Sequence, residues 1–258
     1  MQEILKDLID EQETLDQFLT TLSEFQWDVP SPAEGWFLRD SVAHIAHIDD
    51  VAVSVLKEDF SSLKEASELG ADFNEKGLQK GRSLSPYQIL CWWRASRAIL
   101  VNELSKCDPK KRIPWFAMSM GTRAFATARL METWAHGLDC FDSVKAESRD
   151  TDRLRHIAFL AYIARPFAYQ INGFPPPKTP LRLELILPSG IPWVKGSEEA
   201  KDRIRGQCGE FCRVAVRRRN WLDMNLEIEG EEANRFIQIV QTYAGPPGPG
   251  RKLINKLK

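Results

Sequence analysis

Two separated segments hold three of the four histidines in this 258-residue sequence. One of them, Ala128–Asp142, has the sequence ARLMETWAHGLDCFD and places Glu132 and His136 four residues apart. In an α-helix, residues four apart lie on the same face about one turn from each other, so both side chains can reach one metal ion. Imidazole and carboxylate groups are common ligands of zinc and other divalent ions. The spacing therefore predicts part of a metal site.

The other segment, Ser41–Asp50, has the sequence SVAHIAHIDD and contains His44 and His47. A histidine from this helix would complete a set of two histidines and one carboxylate, which leaves positions on the ion open for water or substrate. We select His44 as the third ligand, although the two histidines are only about 60° apart around a helix axis and the pattern barely separates them. The sequence thus predicts a metal site formed by His44, Glu132 and His136.

A Glu–His pair with this spacing also has an ordinary interpretation. Such pairs occur on exposed helix surfaces, where a hydrogen bond or ion pair contributes about 0.2–0.5 kcal/mol. The neighbours Leu130, Met131 and Trp134 are bulky and apolar, which favours a buried site over an exposed ion pair. The residues alone leave both interpretations open.

Helical periodicity predominates in the first 174 residues and indicates which elements must position these side chains. It predicts four long helices, at about 2–25, 38–57, 85–107 and 121–144. A long polar connection separates the second helix from the third, Asp108–Pro114 reads as a loop, and a further helix is expected after Asp150. Four long helices predict a bundle, an architecture that builds metal sites from inward-facing side chains on different helices.

The sequence changes in character at Phe174–Pro180, FPPPKTP, because three consecutive prolines cannot continue a helix and favour an extended linker. Leu181–Leu187 then alternates apolar and charged residues, as a strand does, and helical periodicity returns at Glu231–Tyr243. We therefore predict an α+β protein in which a four-helix bundle (1–174) precedes a small α/β domain (175–258).

Composition argues against several classes of protein. The formal net charge is −1, so there is no basic surplus for nucleic-acid binding. The longest apolar runs, such as Ile157–Ile163, are much shorter than the roughly 20 residues needed to cross a bilayer. The N-terminus lacks the apolar stretch of a secretory signal, and the five cysteines include no CxxC pair, which fits reduced thiols. We expect a cytoplasmic protein that binds neither nucleic acid nor membranes.

Two motifs, GWFLRDSVAHIAHID at Gly35–Asp49 and ATARLMETWAHGLDCFD at Ala126–Asp142, resemble the DinB-like, mycothiol-dependent maleylpyruvate isomerase-like superfamily of metal-binding helical bundles. The sequence RVAVRRRNWLDMNLEIEGEEANRFIQIVQTYAGPPGPGR resembles the C-terminal region of a bacterial subgroup, some members of which carry a wyosine-base-formation-related label. The resemblance implies an up-down-down-up bundle that binds zinc, with nickel or iron as alternatives. The superfamily's ligand positions fall on His44, Glu132 and His136.

The resemblance also implies chemistry with a low-molecular-weight thiol. A divalent ion with three protein ligands can lower the pKa of a bound thiol and act as a Lewis acid. Characterised relatives activate such a thiol for isomerisation of maleylpyruvate or for S-transfer to electrophiles. The partners would then be a thiol and an electrophilic small molecule, and a homodimer is compatible with such bundles. The alternative is a non-catalytic metal-binding or stress-related module of the same fold.

Other side chains are candidates for supporting roles. Asp139 would orient His136 or lie at the surface as a solvated acid, and Cys140 would approach the ion or pack in the core. Trp115–Phe116 would form a lid over the site or pack as an ordinary loop. Arginines that could bind an anionic ligand or simply lie at the surface are Arg123, Arg129, Arg217, Arg218, Arg219 and Arg251.

Overall fold

The computed structural model describes residues 1–70, 72–116 and 118–254. The chain folds into two compact units, one spanning Met1–Ser148 and the other beginning at Arg149. Within the described ranges, no helix combines the length and the apolar composition needed to span a bilayer.

The first unit is a helical bundle. Its helices and strands, in chain order, are α1 (Gln2–Thr20), α2 (Leu38–Leu56), α3 (Ser61–Leu69), α4 (Asp72–Arg82), α5 (Pro86–Lys106), β1 (Arg112–Trp115), β2 (Met118–Gly121) and α6 (Thr122–Ser143). The four predicted long helices correspond to α1, α2, α5 and α6, and both α1 and α2 pack against α5 and α6. The first helix ends earlier than predicted, because a 3₁₀ turn at Glu24–Asp28 follows it and buries Trp27.

An apolar cluster and one buried charge hold the bundle together. The cluster joins buried side chains of all four long helices, among them Leu15, Val42, Trp93 and Cys140. Asp16 of α1 is also buried and accepts hydrogen bonds of 2.6–2.8 Å from the guanidinium groups of Arg94 and Arg97 on α5. Charge-assisted hydrogen bonds of this length fix α1 against α5.

Helix α4 approaches α2 very closely. A Cβ atom at Gly81 would overlap the Cβ of Ala43, and one at Gly77 would lie 2.7 Å from the Cβ of His47. Arg82, at the end of α4, donates hydrogen bonds of 2.8 and 3.0 Å to the buried carboxylate of Asp40 in the first turn of α2. Helices α3 and α4 lie where the sequence pattern indicated only a polar connection, and α4 covers the helix that bears the two histidines.

A β-hairpin precedes α6. Strands β1 and β2 are antiparallel and pair Arg112 with Gly121, so β1 includes the end of the segment that was predicted to be a loop. Trp115 of β1 is buried against Phe125 of α6, with ring centroids 4.9 Å apart and planes at 88°. The hairpin thus places an aromatic side chain beside the first turns of α6.

The second unit is a mixed sheet with helices. Its elements are α7 (Leu154–Ile163), α8 (Arg165–Ile171), β3 (Leu181–Ile186), β4 (Pro192–Lys195), β5 (Asp202–Gln207), α9 (Cys208–Ala215), β6 (Glu227–Glu229) and α10 (Glu231–Ile239). The strand order is β4-β3-β5-β6, and only the β3–β5 pair is parallel among the described strands. Alternate residues of β3 are buried, as predicted. The predicted α+β class, a helical bundle followed by a small α/β domain, is confirmed.

The division of the chain differs from the boundary predicted at residue 174. Helix α7 packs against α9, and α8 packs against α10. Both α7 and α8 therefore belong to the second unit. The proline-rich segment at Phe174–Pro180 connects two parts of that unit, and the chain divides after Ser148.

We expect the close approach of α4 to α2 to make Gly81→Ala destabilising, because the added methyl group must displace one helix. The predicted loss in the free energy of unfolding is about 1–3 kcal/mol, measured by urea denaturation in the presence of a chelator. Gly137→Ala is the matched control, since its Cβ would meet Leu15 at 3.5 Å, an ordinary contact, and alanine favours a helix by up to about 1 kcal/mol. Equal stability of the two variants would contradict this account of the interface.

Candidate metal centre

Three side chains from two helices meet inside the first unit. One ligand atom from each of His44, Glu132 and His136 lies within 4.8 Å of the other two, and Nε2 of His136 is 3.4 Å from Oε2 of Glu132. Tetrahedral ligands at zinc distances of about 2.0–2.2 Å are separated from each other by roughly 3.4 Å. The three residues therefore offer a nitrogen–nitrogen–oxygen donor set that one divalent ion could reach after small side-chain movements.

The packing of α2 against α6 forms this arrangement. Glu132 and His136 share one face of α6 because they are four residues apart, and Ala43 and Ile45, on either side of His44 in α2, are buried. The rings of His44 and His136 lie 4.7 Å apart at 53°. The four-residue spacing of Glu132 and His136, from which the sequence analysis predicted a shared helix face, thus brings these two side chains together.

The electrostatic environment prepares these groups to act as ligands. Burial lowers the pKa of His44 to about 3, with a further contribution from His136, so its ring is neutral at physiological pH and its nitrogen lone pair is free to bind a metal. No described residue forms a hydrogen bond with Nδ1 of His44. Burial alone would raise the pKa of Glu132, but the hydrogen bond from His136 and the charge of Arg129 outweigh it and lower the pKa to about 2.

Trp36 covers the two histidine rings. Its indole lies 5.3 Å from His44 and is stacked on His136 at 5.8 Å with an interplanar angle of 12°. Backbone hydrogen bonds fix the turn that presents it, since the Trp36 carbonyl accepts from Ser31 at 2.8 Å and the Val29 carbonyl accepts from Leu38 at 3.0 Å. Sequence reasoning missed this role, and the available signal was the tryptophan-containing turn just before α2.

The residues that follow His136 on α6 have different surroundings. Oδ2 of the fully buried Asp139 is 3.4 Å from Nδ1 of His136, the position of a carboxylate that orients a ligating imidazole from its other nitrogen. Cys140 lies in the apolar cluster of the bundle, and burial raises the pKa of its thiol. Of the two roles considered for Cys140, the structure places it in the core.

His47 lies apart from the three clustered residues. Its ring is 5.1 Å from Phe73 of α4, and its Cβ faces Gly77 of the same helix. His47 therefore lies outside the cluster, and the selection of His44 as a metal ligand stays a prediction.

The candidate arginines also have different surroundings. Arg129 is buried, with its guanidinium carbon 4.8 Å from the ring centre of Trp115. Arg123 is exposed and forms an ion pair of 3.4 Å with Glu3. In the second unit, the guanidinium groups of Arg217, Arg218 and Arg219 donate hydrogen bonds to the backbone carbonyls of Gln238, Val216 and Arg218. That triplet helps to fix local backbone in its own unit.

A family model matches more than half of the chain. The model describes the mycothiol maleylpyruvate isomerase N-terminal domain and matches residues 8–141, which include all three clustered residues. The chain belongs to this family. Membership in the mycothiol maleylpyruvate isomerase N-terminal domain family confirms the resemblance inferred from the two motifs, while the ligation of a metal by His44, Glu132 and His136 stays a prediction.

Similar sequences and structures cover nearly the whole chain. Uncharacterized proteins MT0041 and Rv0036c of Mycobacterium tuberculosis, from strains CDC 1551 and H37Rv, are each 36% identical over 248 residues, which covers 95% of this chain and 96% of theirs. Crystal structures of the mycothiol-dependent maleylpyruvate isomerase match with a TM-score of 0.58 for a histidine-to-alanine mutant and 0.56 for a second structure. They are 16% and 17% identical, and each match covers 84% of this chain and 89% of the other. These solved structures therefore share the fold of this chain over most of its length.

We predict that the three clustered residues determine metal content. Wild-type protein should contain about one divalent ion per chain, measured by elemental mass spectrometry after removal of any tag. His44→Ala, Glu132→Ala, His136→Ala and the triple variant should lose it, because two remaining ligands or fewer hold an ion weakly.

His47→Ala is the control for this experiment, since it removes a neighbouring histidine from the same helix and should keep the metal. Thermal unfolding should show that every variant compared is folded. Full metal retention in folded His136→Ala would refute the assigned ligand set.

Proposed function

We propose that this protein is a divalent-metal-dependent enzyme that uses a low-molecular-weight thiol either to isomerise a small electrophilic substrate or to transfer the thiol sulfur to it. The observation that supports this proposal most directly is the cluster of His44, Glu132 and His136 within the matched family domain. The mycothiol-dependent maleylpyruvate isomerase, whose crystal structures share the fold, suggests the class of reaction.

The residues present fit a divalent ion. Two imidazoles and one carboxylate form the donor set, and Nδ1 of His44 has no other hydrogen-bond partner among the described residues. Zinc accepts these donors readily, and nickel or iron would accept the same set. When bound, such an ion would supply Lewis acidity and favour the thiolate form of an incoming thiol at neutral pH.

The chain's own groups would prepare and shield this reaction. The His44 imidazole is neutral and the Glu132 carboxylate is ionised at physiological pH, so neither needs to release a proton before it binds a cation. Asp139, whose Oδ2 lies 3.4 Å from Nδ1 of His136, would hold the ring of His136 in one orientation. Trp36 covers both imidazoles with an apolar surface, which limits the access of water to the reacting thiol.

We predict that the metal-loaded protein binds a thiol saturably. When an electrophile is present, isomerisation should regenerate the thiol, whereas S-transfer should consume one thiol for each conjugate formed. Mycothiol, bacillithiol and glutathione should be compared by calorimetry, and maleylpyruvate isomerisation and S-conjugation should be followed with the thiol that binds best. Glu132→Gln should abolish turnover, because it removes the anionic donor while preserving the size of the side chain.

The control for turnover is His47→Ala, which should bind thiol and turn over as the wild type does. A protein that retains its metal but binds none of the three thiols would indicate the alternative, a non-catalytic metal-binding or stress-related module. A wild-type protein that takes up no ion, even after zinc is added, would contradict the metal-dependent proposal itself.

A further inference from the structure

Arg129 is a buried charge on the same helix face as the candidate ligands. Its side chain is only 3% exposed, and it precedes Glu132 by three residues and His136 by seven. Residues with these separations lie along one stripe of an α-helix. The positive charge of Arg129 contributes a lowering effect to the pKa values of His44, Asp49 and Glu132, so Arg129 acts electrostatically on the candidate metal centre.

The guanidinium group has buried N–H donors without acceptors in the described part of the chain. Among the described residues, neither Nε nor Nη1 of Arg129 has a hydrogen-bond partner, and the guanidinium carbon lies over the aromatic rings of Trp115, at 4.8 Å, and Phe125, at 6.0 Å. An arginine stays charged in proteins. The charge of Arg129 also acts on the ionised Glu132 carboxylate, and an aromatic face attracts a cation. Neither interaction supplies a hydrogen-bond acceptor for the two buried N–H donors, and a buried donor without an acceptor is costly.

We infer that Arg129 binds a carboxylate group of the small molecule that enters the candidate metal centre. This inference rests on the proposed function and adds the chemical class of its ligand. A single guanidinium group presents parallel N–H donors that match a planar, singly charged carboxylate. The carboxyl groups of Asp49 and Glu132 nearby disfavour a multiply charged anion such as phosphate. The neighbouring rings of Trp115 and Phe125 limit the movement of the guanidinium group before the ligand arrives.

The test compares wild type with Arg129→Met, which keeps much of the length of the side chain and removes its charge. Binding to the zinc-loaded protein is measured by calorimetry in carboxylate-free buffer, with 3-mercaptopropionate, 2-mercaptoethanol and succinate as probes. Arg129→Met should bind the carboxylate probe at least tenfold more weakly than wild type and bind 2-mercaptoethanol equally well. Arg123→Met, which removes an exposed arginine from the same helix, should match wild type throughout.

The three probes distinguish the source of the carboxylate. Arg129-dependent binding of 3-mercaptopropionate alone assigns the carboxylate to the thiol. Arg129-dependent binding of succinate, tested with saturating 2-mercaptoethanol, assigns it to the second substrate. Either result supports the inference. Binding of both carboxylates within twofold in the two proteins, or no millimolar binding of either one to wild type, would overturn it.

Two further measurements show whether Arg129 has only a structural role and whether a negative result comes from failure of the proposed function. In the zinc-loaded protein without a carboxylate ligand, Arg129→Met should melt at or above the wild-type temperature, because it removes two buried N–H donors that lack acceptors within the described ranges; a clearly lower melting temperature would assign Arg129 to the scaffold and overturn the inference. If the Met variant does not fold, Arg129→Lys, which keeps the charge but loses the two parallel donors, must show the same loss of carboxylate binding. Metal analysis of the wild type shows whether the metal proposal fails. A succinate titration of metal-stripped protein then tests carboxylate binding by Arg129 without the ion.

Discussion

The packing of α2 against α6 is the constraint on which the rest of the first unit depends. It brings one imidazole from α2 to an imidazole and a carboxylate on α6, and these polar groups must be satisfied inside a bundle whose core is mainly apolar. The surrounding features support that contact. Asp16 fixes α1 to α5 through Arg94 and Arg97. Helix α4 packs closely against α2 at Gly77 and Gly81.

Burial and charge act in opposite directions on the clustered residues. Burial favours a neutral His44 and would also favour a neutral Glu132, yet the hydrogen bond from His136 and the positive charge of Arg129 keep Glu132 ionised. A neutral imidazole beside an ionised carboxylate is the protonation state that a cation requires. The same surroundings that make the cluster costly to bury thus leave it in the protonation state that a metal ion would require.

The sequence predicted the four long helices and the three clustered residues because period-3.6 patterning and the four-residue spacing are properties of single helices. It did not predict α4, because the segment between α2 and α5 is polar and was interpreted as a connection. In the structure, Gly77 and Gly81 of that segment are the positions where a side chain would collide with α2. The proline run at Phe174–Pro180 marked a linker, but α7 and α8 before it pack with α9 and α10. Burial of Arg129 depends on the hairpin that supplies Trp115, and no local pattern encodes it.

Because Arg129 lies on the same rigid helix as Glu132 and His136, its distance from both candidate ligands is fixed. With a rise of about 1.5 Å per residue, its Cα atom lies about 4.5 Å along the axis from that of Glu132 and about 10.5 Å from that of His136. Close-packed surroundings such as Phe125 and Trp115 do not allow this spacing to stretch. Under the role inferred for Arg129, this fixed distance would select among carboxylic acid ligands. Acids whose reactive atom lies a few bonds from the carboxylate would reach both Arg129 and the metal centre, whereas longer or shorter homologues would not.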